Sequence, residues 1–250
     1  MNLLIDIGNT RIKWATHDAG QLVAHGALSH ADWNAHSVDT HVLESIPQPQ
    51  RVLVANVGGA RIADAVRDAV VKRWGAAPEF IVSTASACGV RNAYPVPGNL
   101  GVDRWLGLIA VHAMRPGLAC IVGVGTAMTI DGVDATGQHL GGVIVPGPEL
   151  MVTSLLRSTS DIAQRAASGE VTTDLFADNT LGAIRQGAVH ALAALADRAM
   201  DTLRRTHSSD RVLVLTGGAA AAIQPLLSSP AISIPDLVLK GLAHYATTAR

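Results

Sequence analysis

The sequence predicts an α/β protein made of two similar halves, and three observations carry that reading. Strand-like apolar runs open the chain and later alternate with stretches of helical period. A strand, a turn containing Gly and Thr, and a second strand occur twice. Of the 250 residues, 48% are hydrophobic and 16% charged, which allows one large core or two smaller ones and excludes a disordered chain or a coiled coil.

The elements follow in order. Leu3 to Ile7 is an apolar run, Gly8-Asn9-Thr10 a turn and Arg11 to Ala15 a second strand, with a third at Gln21 to Leu28. Residues 119–133 repeat this unit around Gly125-Thr126, and His139 to Val145 supplies the next strand. Two similar halves predict two similar domains, 1–115 and 116–250. The spacing becomes helical at Arg61 to Trp74 and again at Leu181 to Arg205. In the second stretch Leu181, Ile184, Ala188, Leu192, Leu195, Ala199 and Leu203 form one apolar stripe. Short buried strands are expected at Arg51 to Asn56, Glu79 to Ser83 and Arg211 to Leu215. Pro and Gly cluster at Tyr94 to Gly101, a loop feeding a helix, and at Pro146-Gly147-Pro148.

Composition removes several functions. Net charge is −1, and the densest basic group, Arg204, Arg205 and Arg211, is too small for a nucleic-acid surface. No apolar run reaches the roughly 18 residues of a membrane span. Only Lys13, Lys72 and Lys240 are lysines, so chemistry that needs an ammonium has few candidates. Cys88 and Cys120 stand apart without a Cys/His grouping, which supports neither a disulfide framework nor a zinc site. The opening residues lack a basic n-region and place Asp6 where a signal peptide would be apolar. The expectation is a cytoplasmic protein with no membrane and no nucleic-acid partner. His30, His36 and His41 match no metal spacing and read as a solvated face.

The commonest nucleotide and hydrolase motifs fail. There is no GxxxxGK[ST] and no GxSxG, and Gly123-Val124-Gly125-Thr126-Ala127-Met128 has Met where a dinucleotide fingerprint needs its third glycine. Asp6-Ile7-Gly8-Asn9-Thr10 has another logic: a carboxylate at a strand end, a glycine that admits a phosphate, then amide and hydroxyl donors. An ordinary hairpin uses the same residues. The recurrence of Gly-Thr at 125–126 and the run Thr216-Gly217-Gly218 after a strand favour phosphate binding. A second constellation joins Tyr94 to Leu100-Gly101-Val102-Asp103-Arg104-Trp105. Asp103 could be a helix N-cap or a proton acceptor, and Arg104 beside it could hold a carboxylate or phosphate. Thr180 has the same ambiguity between capping the next long helix and reaching a ligand.

These residues together resemble the type III pantothenate kinases, also called Bvg accessory factor-like proteins. The likeness runs from Asp6-Ile7-Gly8-Asn9-Thr10 with Lys13, through Asn92-Ala93-Tyr94 and Leu100 to Trp105, to Gly125-Thr126-Ala127 with Thr129 and Asp131. It continues in Gly141 to Gly147, Thr180, Thr216-Gly217-Gly218 and Pro235 to Leu242. The resemblance implies the acetate and sugar kinase, Hsp70 and actin superfold: two ribonuclease-H-like domains with ATP in the cleft. It implies transfer of the ATP γ-phosphate to pantothenate, the first step of coenzyme A biosynthesis, with Mg2+ and a monovalent cation, K+ or NH4+, by a homodimer. Asp6, Ile7, Gly8, Asn9, Thr10, Arg11, Ile12, Lys13 and Thr126 would hold ATP. Asp103 would be the general base, and Tyr94, Gly101, Val102, Asp103, Arg104 and Thr180 would line the pantothenate site. The family's cation-associated aspartate is replaced by Gly123, so no residue is assigned to that ion. A kinase of the same superfold with another substrate, or an ATP-binding regulatory protein without turnover, are the competing readings.

Overall fold

The computed structural model describes residues 1–159, 162, 164, 166, 174–207 and 210–248. The chain divides into two compact units, Met1–Pro116 with Ala135–His139 and Asp236–Arg250, and Gly117–Asp134 with Leu140–Pro235. A single cut near residue 115 would leave Ala135–His139 and the C-terminal segment in the other half.

In the first unit a five-stranded sheet has the order β3-β2-β1-β4-β5. Its strands are β1 (Asn2–Ile7), β2 (Arg11–Asp18), β3 (Gln21–Ser29), β4 (Val52–Asn56) and β5 (Glu79–Phe80). The hairpin β1–β2 and the pair β2–β3 are antiparallel, whereas β4 lies parallel to β1 and β5 parallel to β4. β5 is shorter than the sequence suggests because pairing with β4 stops after Glu79 and Phe80. A small antiparallel hairpin of β6 (Ser86–Ala87) and β7 (Val90–Arg91) follows.

The period of two along β1 sorts its side chains between two cores. Leu3, Ile5 and Ile7 pack with Ile12, Trp14, Val52 and Val54 beneath α2 (Ala60–Trp74), whose Ile62, Val66, Ala69 and Val70 face them. α1 (Ala35–Val38) and the turn after it add Val38, Val42 and Leu43 to the same core. Leu4 points the other way, with Ala15, Leu53 and Ala55, against α3 (Val102–Met114) and the C-terminal α7 (Leu237–Thr248), through Val102, Leu106, Leu239 and Leu242. At roughly 1.5–3 kcal/mol per buried aliphatic side chain, each face contributes substantially to holding β1 in place.

The second unit repeats the plan, with sheet order β10-β9-β8-β11-β12. It is built from β8 (Leu118–Val124), β9 (Ala127–Val133), β10 (His139–Pro146), β11 (Arg211–Thr216) and β12 (Ala231–Ser233). β8 and β9 are antiparallel, and β11 is parallel to both β8 and β12. α4 (Pro148–Ser158), α5 (Thr180–Thr206) and α6 (Ala220–Ile223) complete it. Leu192, Ala193, Ala196 and Met200 of α5 pack on Cys120, Val122, Val124 and Leu213. Both units have the ribonuclease-H-like strand order, the building block of the acetate and sugar kinase, Hsp70 and actin superfold. Among the described residues no helix is long and apolar enough to cross a membrane.

Candidate active site

Asp6 ends β1 on the face that carries Leu4, and the register sets Lys13 of β2 directly opposite it. α3 and α7 cover that face. The first turn of α3 carries Asp103, and Asp236 immediately precedes α7. Lys13 Nζ donates to Asp236 Oδ1 at 3.0 Å. Burial, more than any other cause, raises the Asp6 carboxyl from 3.8 to about 7; Lys13 pulls it down, while Asp103 and Asp236 push it up. Asp6 thus feels one ammonium and two further carboxylates, an excess of negative charge that suits a hard cation held by one carboxylate together with phosphate oxygens. Among the described residues no group of three or more His, Cys, Asp or Glu could form a metal cage by itself.

The turn after Asp6 is tied down from below. Gly8 N donates to Arg11 O at 2.9 Å, and Val57 N donates to Ile7 O at 2.8 Å. His30 Nε2 donates to Gly8 O at 2.7 Å. His30 is therefore buried at 3% exposure, which corrects its reading as part of a solvated face; His36 and His41 are exposed as expected. The difference is that His30 ends just beyond β3, where its ring reaches the Gly8 carbonyl. Asn9, Thr10 and Arg11 are exposed, while Ile7 and Ile12 are wholly buried and can present only backbone to a phosphate. Arg11 spends one guanidinium N–H on Ala27 O at 2.9 Å.

The loop before α3 is folded around Asn92. Its Nδ2 donates to Thr84 O and Pro97 O at 3.3 and 3.2 Å, and its Oδ1 accepts from Tyr94 N at 3.0 Å. Arg104, 7% exposed, donates from Nη1 to the Tyr94 hydroxyl at 3.1 Å, its guanidinium lying 5.7 Å from the ring centre. The Tyr94 ring also stacks with His139, at 6.0 Å between centres and 14°. Asp103 is not the N-cap: Gly101 occupies that position without a side-chain cap, and Asp103 Oδ1 accepts from Arg104 N at 2.9 Å inside the first turn. A carboxylate there is favoured by the helix dipole. Val102 points into the core beside Leu106.

In the second unit Gly125 N donates to Ala127 O at 3.0 Å, Gly147 N to Thr126 O at 2.8 Å and Ala219 N to Val124 O at 3.0 Å. Gly217 has φ +96 and lies so close to the Val124 backbone that a β-carbon would collide with it. Three glycine turns thus meet at the ends of β8, β10 and β11, with Thr126 exposed. A cavity of about 420 Å3 nearby is lined by Pro148, Glu149, Arg185, Gln186, Ala219 and Leu226 among others. Thr180 is the first residue of α5 and does not cap it; Asn179 does, its side chain accepting from Gly182 N at 2.8 Å. Asn179 precedes the helix with extended backbone, the conformation a capping side chain requires. Gly123, within β8 opposite Thr129, offers no carboxylate.

A model of the type III pantothenate kinase family matches residues 2–202. Full-length relatives agree: the type III pantothenate kinase of Nitrosococcus oceani is 39% identical, covering 98% of this chain and 94% of its own. The chain belongs to the type III pantothenate kinase family. The type III pantothenate kinase of Burkholderia thailandensis is 38% identical over 99% of this chain and 98% of its own. Among solved structures, component A of the (R)-2-hydroxyglutaryl-CoA dehydratase of Acidaminococcus fermentans is 15% identical with a TM-score of 0.56, covering 100% of this chain and 99% of that one. That distant likeness concerns the fold.

Within the first unit of this family member, Asp6 lies within electrostatic reach of Lys13, Asp103 and Asp236, and Tyr94 meets Arg104. Sequence reasoning gave no role to Asp236, His30 or His139. Asp236 lies 223 positions from Lys13, so no local pattern could signal the pair.

Proposed function

We propose that this chain transfers the γ-phosphoryl group of ATP to the primary hydroxyl of pantothenate, giving 4'-phosphopantothenate and ADP, with Asp103 as proton acceptor. The observation that carries the reading is the convergence of Asp6, Lys13 and Asp103 at one end of β1, next to the Asp6–Thr10 turn. Phosphoryl transfer through a loose transition state asks the protein chiefly for positioning and charge stabilisation. The exposed turn offers the amides and the hydroxyl of Asn9 and Thr10 to phosphate oxygens, and Lys13, steadied by Asp236, adds positive charge. Mg2+ bound with ATP supplies further neutralisation, and Asp6 is the side chain suited to hold it. Asp103 orients the acceptor hydroxyl and takes its proton as the bond to phosphorus forms. It needs no raised pKa, because the alkoxide charge develops late.

Tyr94, Gly101, Arg104 and the backbone of Val102, whose side chain is in the core, are assigned to pantothenate, the buried Arg104 guanidinium being the polar group that fixes it. Thr126, for a phosphate, and Thr180, for pantothenate, belong to the second unit, where their roles rest on the resemblance. Position 123, a glycine, does not fit a site for K+ or NH4+ of the family type. Exposed Leu140, Val143 and Ile144 on β10 and Leu150 and Leu155 on α4 support a homodimer. Free Cys88 and Cys120, the latter pushed up to about 12 by burial and by Asp131, suit the reducing cytoplasm.

The test is ADP formation from ATP and Mg2+ with pantothenate or other small primary alcohols, the product being identified by mass. Turnover that requires pantothenate is expected. Faster turnover of another alcohol would move the chain to a different substrate, and ATP binding without turnover would make it a regulatory protein.

A further inference from the structure

We infer that His139 is a positioning residue for the acceptor site, holding Tyr94 and, through it, the Arg104 guanidinium. The inference rests on the assignment of Tyr94 and Arg104 to pantothenate. His139 opens β10, yet the segment Ala135–His139 packs within the first unit. Arg91 clasps that segment: its N donates to Gly137 O at 2.8 Å, its Nε to Gln138 Oε1 at 3.0 Å and its Nη2 to Thr136 Oγ1 at 3.1 Å. Gly137, with φ +79, approaches the Gly89 backbone so closely that a side chain would collide with it. Held in this way, the His139 ring is 1% exposed and nearly parallel to Tyr94, with 6.0 Å between centres. Its Nδ1 accepts from Ala93 N at 3.4 Å, so the imidazole both stacks with the Tyr94 ring and holds the backbone amide one residue before it.

The consequence is a relay of contacts. His139 limits where the Tyr94 ring can lie, and the Tyr94 hydroxyl accepts from Arg104 Nη1 at 3.1 Å. Arg104 follows Asp103 on α3, so a displaced Tyr94 would loosen the acceptor site while leaving the Asp6–Thr10 turn untouched. An unassisted Tyr94, half-buried at the edge of a Pro- and Gly-rich loop, has several rotamers available. A stacked buried ring removes that freedom before the substrate arrives.

The experiment compares wild type, His139→Leu, His139→Phe, Tyr94→Leu and the Tyr94→Leu/His139→Leu double variant in steady-state kinetics. The two tyrosines, Tyr94 and Tyr245, are followed by 19F NMR after 3-fluorotyrosine labelling. His139→Leu is expected to raise the pantothenate KM by about fivefold to tenfold, the scale of one aromatic contact with one hydrogen bond. The ATP KM should stay within about twofold, since the role inferred for His139 runs through Tyr94 to the acceptor side of the site. His139→Phe should recover most of the loss by restoring the ring. The double variant should be no worse than Tyr94→Leu, because His139 acts through Tyr94. The 19F signal of Tyr94 should move in His139→Leu, and that of Tyr245 should not. A folded His139→Leu with unchanged pantothenate KM overturns the role, as does an equal rise in both KM values without rescue by Phe. If His139→Leu does not fold, an unchanged Tyr94 signal together with a raised pantothenate KM in His139→Phe overturns it as well. Wild type without pantothenate-dependent turnover overturns the underlying function and this role with it, an outcome distinct from normal wild-type turnover with an inert His139→Leu.

Discussion

Asp6 shows what burying a single carboxyl does to stability. Its carboxyl is raised from 3.8 to about 7 in the fold, so between those values the folded chain binds a proton that the unfolded chain has released. Stability contributed through this group is therefore greatest at low pH and falls as pH rises toward 7. Removing the charge should relieve the cost: Asp6→Asn, free of nucleotide, is expected to melt higher than wild type at pH 8, with a smaller difference at pH 5. Thermal melts across that range check it, and an equal or lower melting point at pH 8 would contradict the burial argument. Turnover should nevertheless be lost in the variant, as expected where function keeps a strained charge in place. Asp6, Lys13, Asp103 and Arg104 were singled out in the sequence because short motifs carry them. Asp236 and His139 were not, because each meets its partner only through the fold.

The elements were legible where periodicity was strong. The expected helix from Leu181 to Arg205 is α5, Thr180–Thr206, and the expected strand from Gln21 to Leu28 is β3, one residue longer. Caps were harder to read, because Ser, Thr, Asp and Asn are alike in type and the backbone conformation decides among them. Asn179, with extended backbone, caps α5 in place of Thr180, and Gly101 stands where Asp103 was an option. Asn179→Ala should cost about 1 kcal/mol in denaturant melts. Thr180→Ala should cost far less in stability and instead raise the pantothenate KM. The reverse pattern would return Thr180 to a capping role and remove it from the substrate site.

Across the whole molecule, the repeated strand-turn-strand unit announced the duplication, and both sheets carry the same strand order. The sequence could not show that Ala135–His139 and the C-terminal helix fold with the first unit, since hairpin tips and terminal helices choose their neighbours by packing. The exposed apolar residues of β10 and α4 bear on assembly. Sedimentation equilibrium is expected to return twice the chain mass, and Ile144→Glu to shift the population to monomer; a monomeric wild type would remove the homodimer. The central claim, that Asp103 accepts the proton of the attacking hydroxyl, is tested most directly by single-turnover phosphoryl transfer in Asp103→Asn, with ATP affinity measured in parallel. ATP affinity near that of wild type and transfer to pantothenate slowed by ~10²-fold or more are expected. Transfer at nearly the wild-type rate would contradict the account.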